Sequence, residues 1–501
     1  MTVAGIRYRA LGRVTRPTAT ERQAASMAVA GGDEYDVIVV GAGPVGENVA
    51  DQVVRGGLSA LLVERELVGG ECSYWACIPS KALLRPAAAL ADARRVDGAA
   101  TAVRGGPNPE QVLARRTSFT HNWSDDSQVG WLDYAGIALV RGTARLVGER
   151  QVEIRTRDGG ARRVAARQAV VLATGSRATV PDVPGLAEAD PWTSRDATSA
   201  TAVPDELAVL GGGVVGCEMA TAFAALGSRV TLIARGERLL PRLEPFASEA
   251  VLAGLPKAGV DVRLGATVTA VERDEAGVRI DVADADATRT VRADEILVAT
   301  GRTAAVEGLG LETVGVTELR VDDSCRVAGV DWLYAAGDVN GRALLTHMGK
   351  YQARACGAAI VARAGGDAAE PTPWSRYAAT ADHAAVPQAV FTDPEVGAVG
   401  LTEAEARDAG LPVRAVEYDL GQVAGASLFA DGYAGRAKLV VDTGREVIVG
   451  ATFVGATSAE LVHAATIAIV GEVPLSRLWH AVPSFPTISE VWLRLLEAYG
   501  R

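Results

Sequence analysis

The chain is short of cysteine, histidine, aromatic residues and positive charge. Five cysteines in 501 residues are too few for a disulfide framework, and the odd number leaves at least one thiol unpaired. Such usage fits a reducing compartment, so a cytoplasmic location is expected. Lys and Arg total 50 against 61 Asp and Glu, a net charge of -11, which argues against a nucleic-acid surface because phosphate binding needs clustered basic residues. No uninterrupted apolar run reaches the roughly 18 to 20 residues that span a bilayer, so no membrane segment is expected. Residues 1–32 carry scattered arginines without the apolar core of a secretory signal. They read as a loose extension, with Met27 as an alternative start.

What is abundant is apolar surface and glycine, 49% and 55 residues respectively, an α/β globular composition large enough for several domains. The run D-V-I-V-V-G-A-G-P-V-G-E, from Asp36, is an apolar strand, a glycine turn (Gly41, Gly43, Gly46) and a helix start. Its three glycines supply a tight turn, backbone access for a pyrophosphate and close helix packing. A second strand, S-A-L-L-V-E-R, ends in Glu64, placed to hold a ribose diol. The pattern repeats at 207–218 as L-A-V-L-G-G-G-V-V-G-C-E, with Gly211, Gly213 and Gly216. Its following strand ends differently, at Ala234, then Arg235 and Arg238. Without a carboxylate to repel a 2′-phosphate, and with guanidinium groups to bind one, the second site is expected to favour NADPH over NADH. Two dinucleotide sites suggest a resident flavin and an exchanging nicotinamide.

Between the two repeats lies C-S-Y-W-A-C-I-P-S-K, Cys72 to Lys81. The pair could be a staple, half a metal site or a redox couple. Residues five apart in a regular helix are separated by roughly 8.6 Å at Cα, more than the roughly 7 Å a disulfide tolerates, so a bridge here requires a distorted helix turn that Pro79 would help to end. A helix N-terminus favours the thiolate needed for exchange chemistry. Tyr74 and Trp75 either narrow a substrate pocket or belong to the core. Cys217 reads as packing, and Cys325 and Cys356 as isolated, inert thiols.

Together with the A-T-G turns at 173–175 and 299–302, Y-A-A-G-D-V at 334–339, the run H-A-A-V-P-Q-A-V-F-T-D-P-E-V-G at 383–397 and the tail F-P-T-I-S-E, these motifs resemble the flavin-dependent pyridine nucleotide–disulfide oxidoreductases, the group of glutathione reductase, dihydrolipoamide dehydrogenase and mercuric reductase. The resemblance implies two Rossmann-like domains and a C-terminal α+β dimerisation domain, with boundaries expected at 33–185 and 306–375 (FAD), 186–305 (NAD(P)) and 376–501 (interface). It implies FAD at Gly41, Gly43, Gly46, Glu64, Gly175 and Asp338, the nicotinamide cofactor at the second glycine turn and Gly301, and a homodimer with shared active sites. It further implies that Cys77 faces the flavin, that Cys72 meets the substrate, and that Lys81 pairs with Glu218.

One position departs from the family. Its tail normally carries a histidine five residues before the glutamate, as proton donor to the departing thiolate; here Phe485 stands there and Glu490 remains. His121 and His480 are the substitutes within reach of a sequence reading. No cysteine pair occurs near Arg501, which weakens a mercury-reducing assignment. Three functions follow: reduction of a small thiol or disulfide compound through Cys72–Cys77; reduction of quinones, oxygen or metal ions straight from the flavin; or a reductase or redox-sensing subunit of a larger complex.

Overall fold

The computed structural model describes residues 33–285 and 287–500; the expected extension at 1–32 lies outside them. A parallel sheet is built on Glu34–Val40, flanked by Ala60–Glu64 and Ala161–Leu172, with Leu333–Ala335 beyond the latter. The strands Ala138–Gly148 and Gln151–Thr156 extend it, the second pairing antiparallel with both of its neighbours. Runs such as V-I-V-V and A-L-L-V form these strands because β-branched and aliphatic side chains are buried on both faces of a parallel sheet. A second parallel sheet has the order Glu295–Val298, Glu206–Leu210, Arg229–Ile233, Val260–Arg263. The C-terminal part contains a five-stranded antiparallel sheet, Pro387–Val390 to Val413–Asp419 at its edges. Two doubly wound dinucleotide units and a dimerisation-type α+β unit are the fold class expected from sequence.

Seven helices position the site: α1 (Pro44–Arg55), α2 (Gly70–Tyr74), α3 (Cys77–Arg94), α4 (Ser194–Ser199), α5 (Val214–Ala225), α6 (Thr346–Ala364) and α7 (Val491–Tyr499). Helix α6 lies close along α1 because Gly349 and Gly357 face it; a Cβ there would meet Val45 and Gln52 at 2.6 Å. Leu83 and Leu84 of α3 share one buried cluster with Leu207 and Phe223 of the second nucleotide unit and with Val390, Val396 and Val454 of the C-terminal sheet. The cysteine-bearing segment is thus wedged where three units meet. No helix among the described residues is long and apolar enough to cross a membrane.

Candidate active site

The glycine turns behave as their spacing requires. Gly41 has φ +101° and a Cβ on it would meet the Ala173 carbonyl oxygen at 2.4 Å, while one on Gly46 would strike the Gly41 oxygen at 1.9 Å. Gly43, by contrast, has only Gly70 Cα nearby, at 3.9 Å, leaving its backbone open to a ligand. Gly211 (φ +123°), Gly213 and Gly216 repeat this division, with Gly213 again the open position. Glu64, buried at the end of its strand, accepts from the Ala42 and Glu66 amides at 2.7 Å each. Its carboxylate is therefore fixed beside the first turn, where a ribose diol would reach it. Gly175 and Gly301 both have positive φ, and the segments they open, Ser176–Ala178 and Arg302–Ala304, pair antiparallel. The two A-T-G turns form adjacent crossings between the nucleotide units.

Asp338 follows Leu333–Ala335 and accepts from Ser176 Oγ at 2.6 Å; Ser176 in turn accepts from Arg302 Nε at 2.7 Å. Burial pushes the Asp338 carboxyl above its ordinary range. Arg302 also pairs with Glu71, which Arg195 grips at 2.8 Å. This chain of contacts runs from the flavin-type motif to the cysteine segment. Open glycine backbone, a fixed strand-end carboxylate and a half-buried acid at the sheet edge suit an FAD cradle.

The cysteine segment is two helices, not one. Gly69 and Gly70 adopt positive φ, α2 carries Cys72, and the chain breaks at Trp75 and Ala76 before α3 begins at Cys77. The break removes the spacing that a continuous helix would impose. Pro79 does not end the turn as expected: it sits in the first turn of α3, where its missing N–H costs no helical hydrogen bond. Tyr74 is buried and its hydroxyl donates to the Ser124 carbonyl at 3.3 Å, while Trp75 lies under the Arg195 guanidinium, 4.2 Å from its ring centre. The Trp75 carbonyl accepts from Thr198 of α4. Both aromatics therefore anchor the segment.

Cys72 and Cys77 are both half-buried thiols, hydrogen-bonded to each other. The Cys72 hydrogen bond is the largest influence on Cys77; against the opposing effect of burial, it, the Thr346 hydroxyl 3.3 Å away and the Lys81 charge hold Cys77 at about 6. Cys72 is raised, first by that same hydrogen bond and then by burial. The pair is thus a thiolate and a thiol, with Cys77 the thiolate. Lys81, one turn along α3, reaches Glu218 of α5 at 2.6 Å, and Glu218 also accepts from the Phe391 amide at 3.0 Å. The Lys81 ammonium lies 5.0 Å from the Phe391 ring centre. No group of three or more His, Cys, Asp or Glu able to hold a metal occurs among the described residues.

The remaining predicted residues lie apart from the thiols. Ala234 is buried, whereas Arg235 and Arg238 are exposed just past Arg229–Ile233, Arg238 donating to the Pro241 carbonyl at 2.8 Å. Cys217 is buried in α5 as packing. Cys325 and Cys356 are not isolated: they share one buried cluster, burial pushes both thiols up, and Cys325 adds to the rise at Cys356. Glu490 is buried and binds Arg494 of α7 through Oε1 at 2.5 Å, its Oε2 having no hydrogen-bond partner among the described residues. Phe485 is 74% exposed. His121 and His480 are exposed, and neither is hydrogen-bonded to the cysteine segment among the described residues. Sequence reasoning missed Thr346, Phe391, Ser176, Arg302, Glu71 and Arg195. Thr346, Phe391 and Arg195 lie far from the cysteine pair in sequence, whereas Glu71 adjoins Cys72 and Ser176 and Arg302 follow the two A-T-G turns; none of them shows its partner in the sequence.

Residues 35–360 match the pyridine nucleotide-disulphide oxidoreductase family, and 386–495 match its dimerisation domain. The chain is 34% identical over 468 residues to a dihydrolipoyl dehydrogenase of Chlorobaculum tepidum, covering 91% of this chain and 95% of that one. It is also 34% identical over 463 residues to a mercuric reductase of Streptomyces lividans, with coverage of 89% and 93%. Among solved structures, LpdA of Mycobacterium tuberculosis superposes with a TM-score of 0.78 at 23% identity, over 93% of this chain and all of that chain, 100%. The HOCl-induced flavoprotein disulfide reductase RclA of Escherichia coli gives 0.77 at 24%, over 92% and 99%; these two likenesses concern the fold. Family members bind FAD and use NAD(P)H. With both of its domain types matched in order along most of its length, the chain belongs to the pyridine nucleotide-disulphide oxidoreductases.

Proposed function

We propose that this protein is a cytoplasmic, homodimeric, NADPH-dependent flavoprotein that reduces a small-molecule disulfide through Cys72 and Cys77. The observation that carries it is the placement of the half-buried Cys72 and Cys77 pair beside Lys81, which Glu218 holds at 2.6 Å, with the Thr346 hydroxyl 3.3 Å from Cys77 Sγ. FAD, when bound, supplies the two-electron relay between nicotinamide and thiols. Residues 33–185 with 306–375 would hold it through Gly41, Gly43, Gly46, Glu64, Gly175 and Asp338. Residues 186–305 would hold NADPH through Gly211, Gly213, Gly216 and Gly301, with Arg235 and Arg238 at the 2′-phosphate. Residues 376–501 would form the dimer interface, a use supported by the exposed Leu428, Ile467, Val482 and Phe485.

In this reading Cys72 attacks one substrate sulfur, and Cys77 then displaces the mixed disulfide to close the Cys72–Cys77 bond. Lys81 sets a positive charge beside Cys77, and Glu218, fixed by the Phe391 amide, holds Lys81 in place. Anaerobic NADPH titration tests it. Wild type should take up about four electrons per FAD and Cys72→Ser about two; equal uptake removes the thiols from the circuit.

A second reading is favoured by Phe485 and by the turn of Glu490 toward Arg494: a quinone or metal ion reduced without any protonated leaving thiolate. The likeness to a mercuric reductase supports the metal-ion form. There, Cys72→Ser should retain acceptor turnover.

A further inference from the structure

Cys72 serves two positions in the reaction proposed above, bonded to Cys77 in the oxidised enzyme and facing the substrate in the reduced one. Its helix is too short to set them alone. α2 has five residues, well below the roughly 12 to 15 at which a helix holds its own shape in water. Gly69 and Gly70 enter it with positive φ, and the chain breaks again at Trp75 and Ala76. We propose that Arg195 of α4 is the positioning residue for Cys72, acting through Glu71, the residue before it. This rests on the disulfide-reducing reading, in which Cys72 is the thiol that meets the substrate.

The contacts are direct. Arg195 Nε donates to Glu71 Oε1 at 2.8 Å in the first turn of α2, and the same guanidinium lies 4.2 Å from the centre of the Trp75 ring, just past the last turn. Arg195 therefore spans, end to end, the helix that carries Cys72. Its Nη2 donates to Glu66 at 2.7 Å, so a second carboxylate fixes the plane of the guanidinium. Arg302 donates to the other oxygen of Glu71. A carboxylate held on both oxygens by planar, fork-shaped donors is fixed in orientation as well as in place, and Cys72 follows it directly in the chain.

α4 is a firm post for this grip. A capping box between Thr193 and Asp196 fixes its first turn, and Thr198 Oγ1 donates to the Trp75 carbonyl at 2.9 Å. At its other end Arg116, 2% exposed, donates to the carbonyls of Thr198 and Ala200. Arg116 belongs to the helix Pro109–Phe119, whose Arg115 donates to the Ala82 carbonyl of α3 at 3.0 Å. The post is thus tied to the helix that begins with Cys77. The spacing of the two sulfurs is set by α4 as well as by the four residues between them, and the Cys72 hydrogen bond to Cys77 reports that spacing.

The test uses FAD-loaded enzyme reduced anaerobically with NADPH. Arg195→Met keeps an apolar stem over Trp75 and removes both bonds to carboxylates; Arg195→Gln takes its place if the Met variant yields no folded holoenzyme. Cys72 moved out of place withdraws its hydrogen bond from the Cys77 thiolate, which favours the thiol. The Cys77 inflection, read by iodoacetamide alkylation and mass spectrometry, should therefore rise from about 6 by about one unit, and Glu71→Gln should raise it likewise. In a Cys72→Ala background, Arg195→Met should add no further rise, a result that a general loss of packing or charge would not give. Reoxidation by bis(2-hydroxyethyl) disulfide should slow by about tenfold to a hundredfold, the cost of a reacting group about 1 Å out of place. An unmoved inflection in Arg195→Met or in Glu71→Gln overturns the proposal, as does an equal rise with and without Cys72. A wild-type dithiol that a quinone reoxidises and the disulfide does not overturns the disulfide-reducing reading, while the alkylation arm still decides whether Arg195 places Cys72.

Discussion

Thr346→Val removes one hydroxyl and keeps the side-chain shape, so it isolates a single support of the Cys77 thiolate. That hydroxyl lies 3.3 Å from Cys77 Sγ. A hydrogen bond to a charged acceptor contributes about 1.5 to 3 kcal/mol, and at a soft sulfur acceptor the lower end applies. Since 1.36 kcal/mol corresponds to one pKa unit, Cys77 should rise by about one unit, from about 6 to about 7. At pH 7 the thiolate fraction would fall from about nine-tenths to about one-half. The sign is fixed by chemistry: losing a donor to the thiolate favours the thiol, so the inflection moves up. Alkylation of the NADPH-reduced enzyme with iodoacetamide as a function of pH, with mass spectrometry separating Cys77 from Cys72, reads this directly. An unmoved inflection, or one that moves down, would refute the role given to Thr346.

Glu218→Gln should shift the same Cys77 inflection in the opposite direction, by up to about one unit, because it leaves the Lys81 charge uncompensated beside the thiolate; an upward shift would contradict the arrangement. Arg235→Glu should lower kcat/KM for NADPH by about tenfold to a hundredfold and leave NADH use nearly unchanged, and a retained NADPH preference in steady-state kinetics would exclude Arg235 from cofactor choice.

The parts of the site that were legible before the structure are those dictated by local geometry. Three glycines at fixed spacing, an acid at the end of the next strand and a cysteine pair before a lysine each serve one turn or one strand end, so the sequence shows them. The Lys81–Glu218 pair was expected from family resemblance and lies at 2.6 Å. The helix break at Trp75 and Ala76 was only half legible. The spacing of Cys72 and Cys77 required a distortion, but Pro79 was placed at the wrong end of it, because a proline in a first helical turn and one past a last turn look alike in sequence. The Tyr74 and Trp75 side chains gave no sign of their partners, since Ser124 and Arg195 lie 50 and 120 residues away in the chain. Cys325 and Cys356 looked isolated for the same reason and meet in one cluster.

The two thiols differ in how many parts of the fold support them. Cys77 is addressed by Thr346 from α6, by Lys81 from its own helix, and through Lys81 by Glu218 and the Phe391 amide from the two other units. A change in any unit reaches it. Cys72 has its bond to Cys77, the same Thr346 hydroxyl and the charge of Lys350, and the C-terminal carboxylate is held by Arg494. With Phe485 exposed and Glu490 bound to Arg494, proton exchange at Cys72 is the step expected to slow most with acceptors whose leaving thiolate must be protonated.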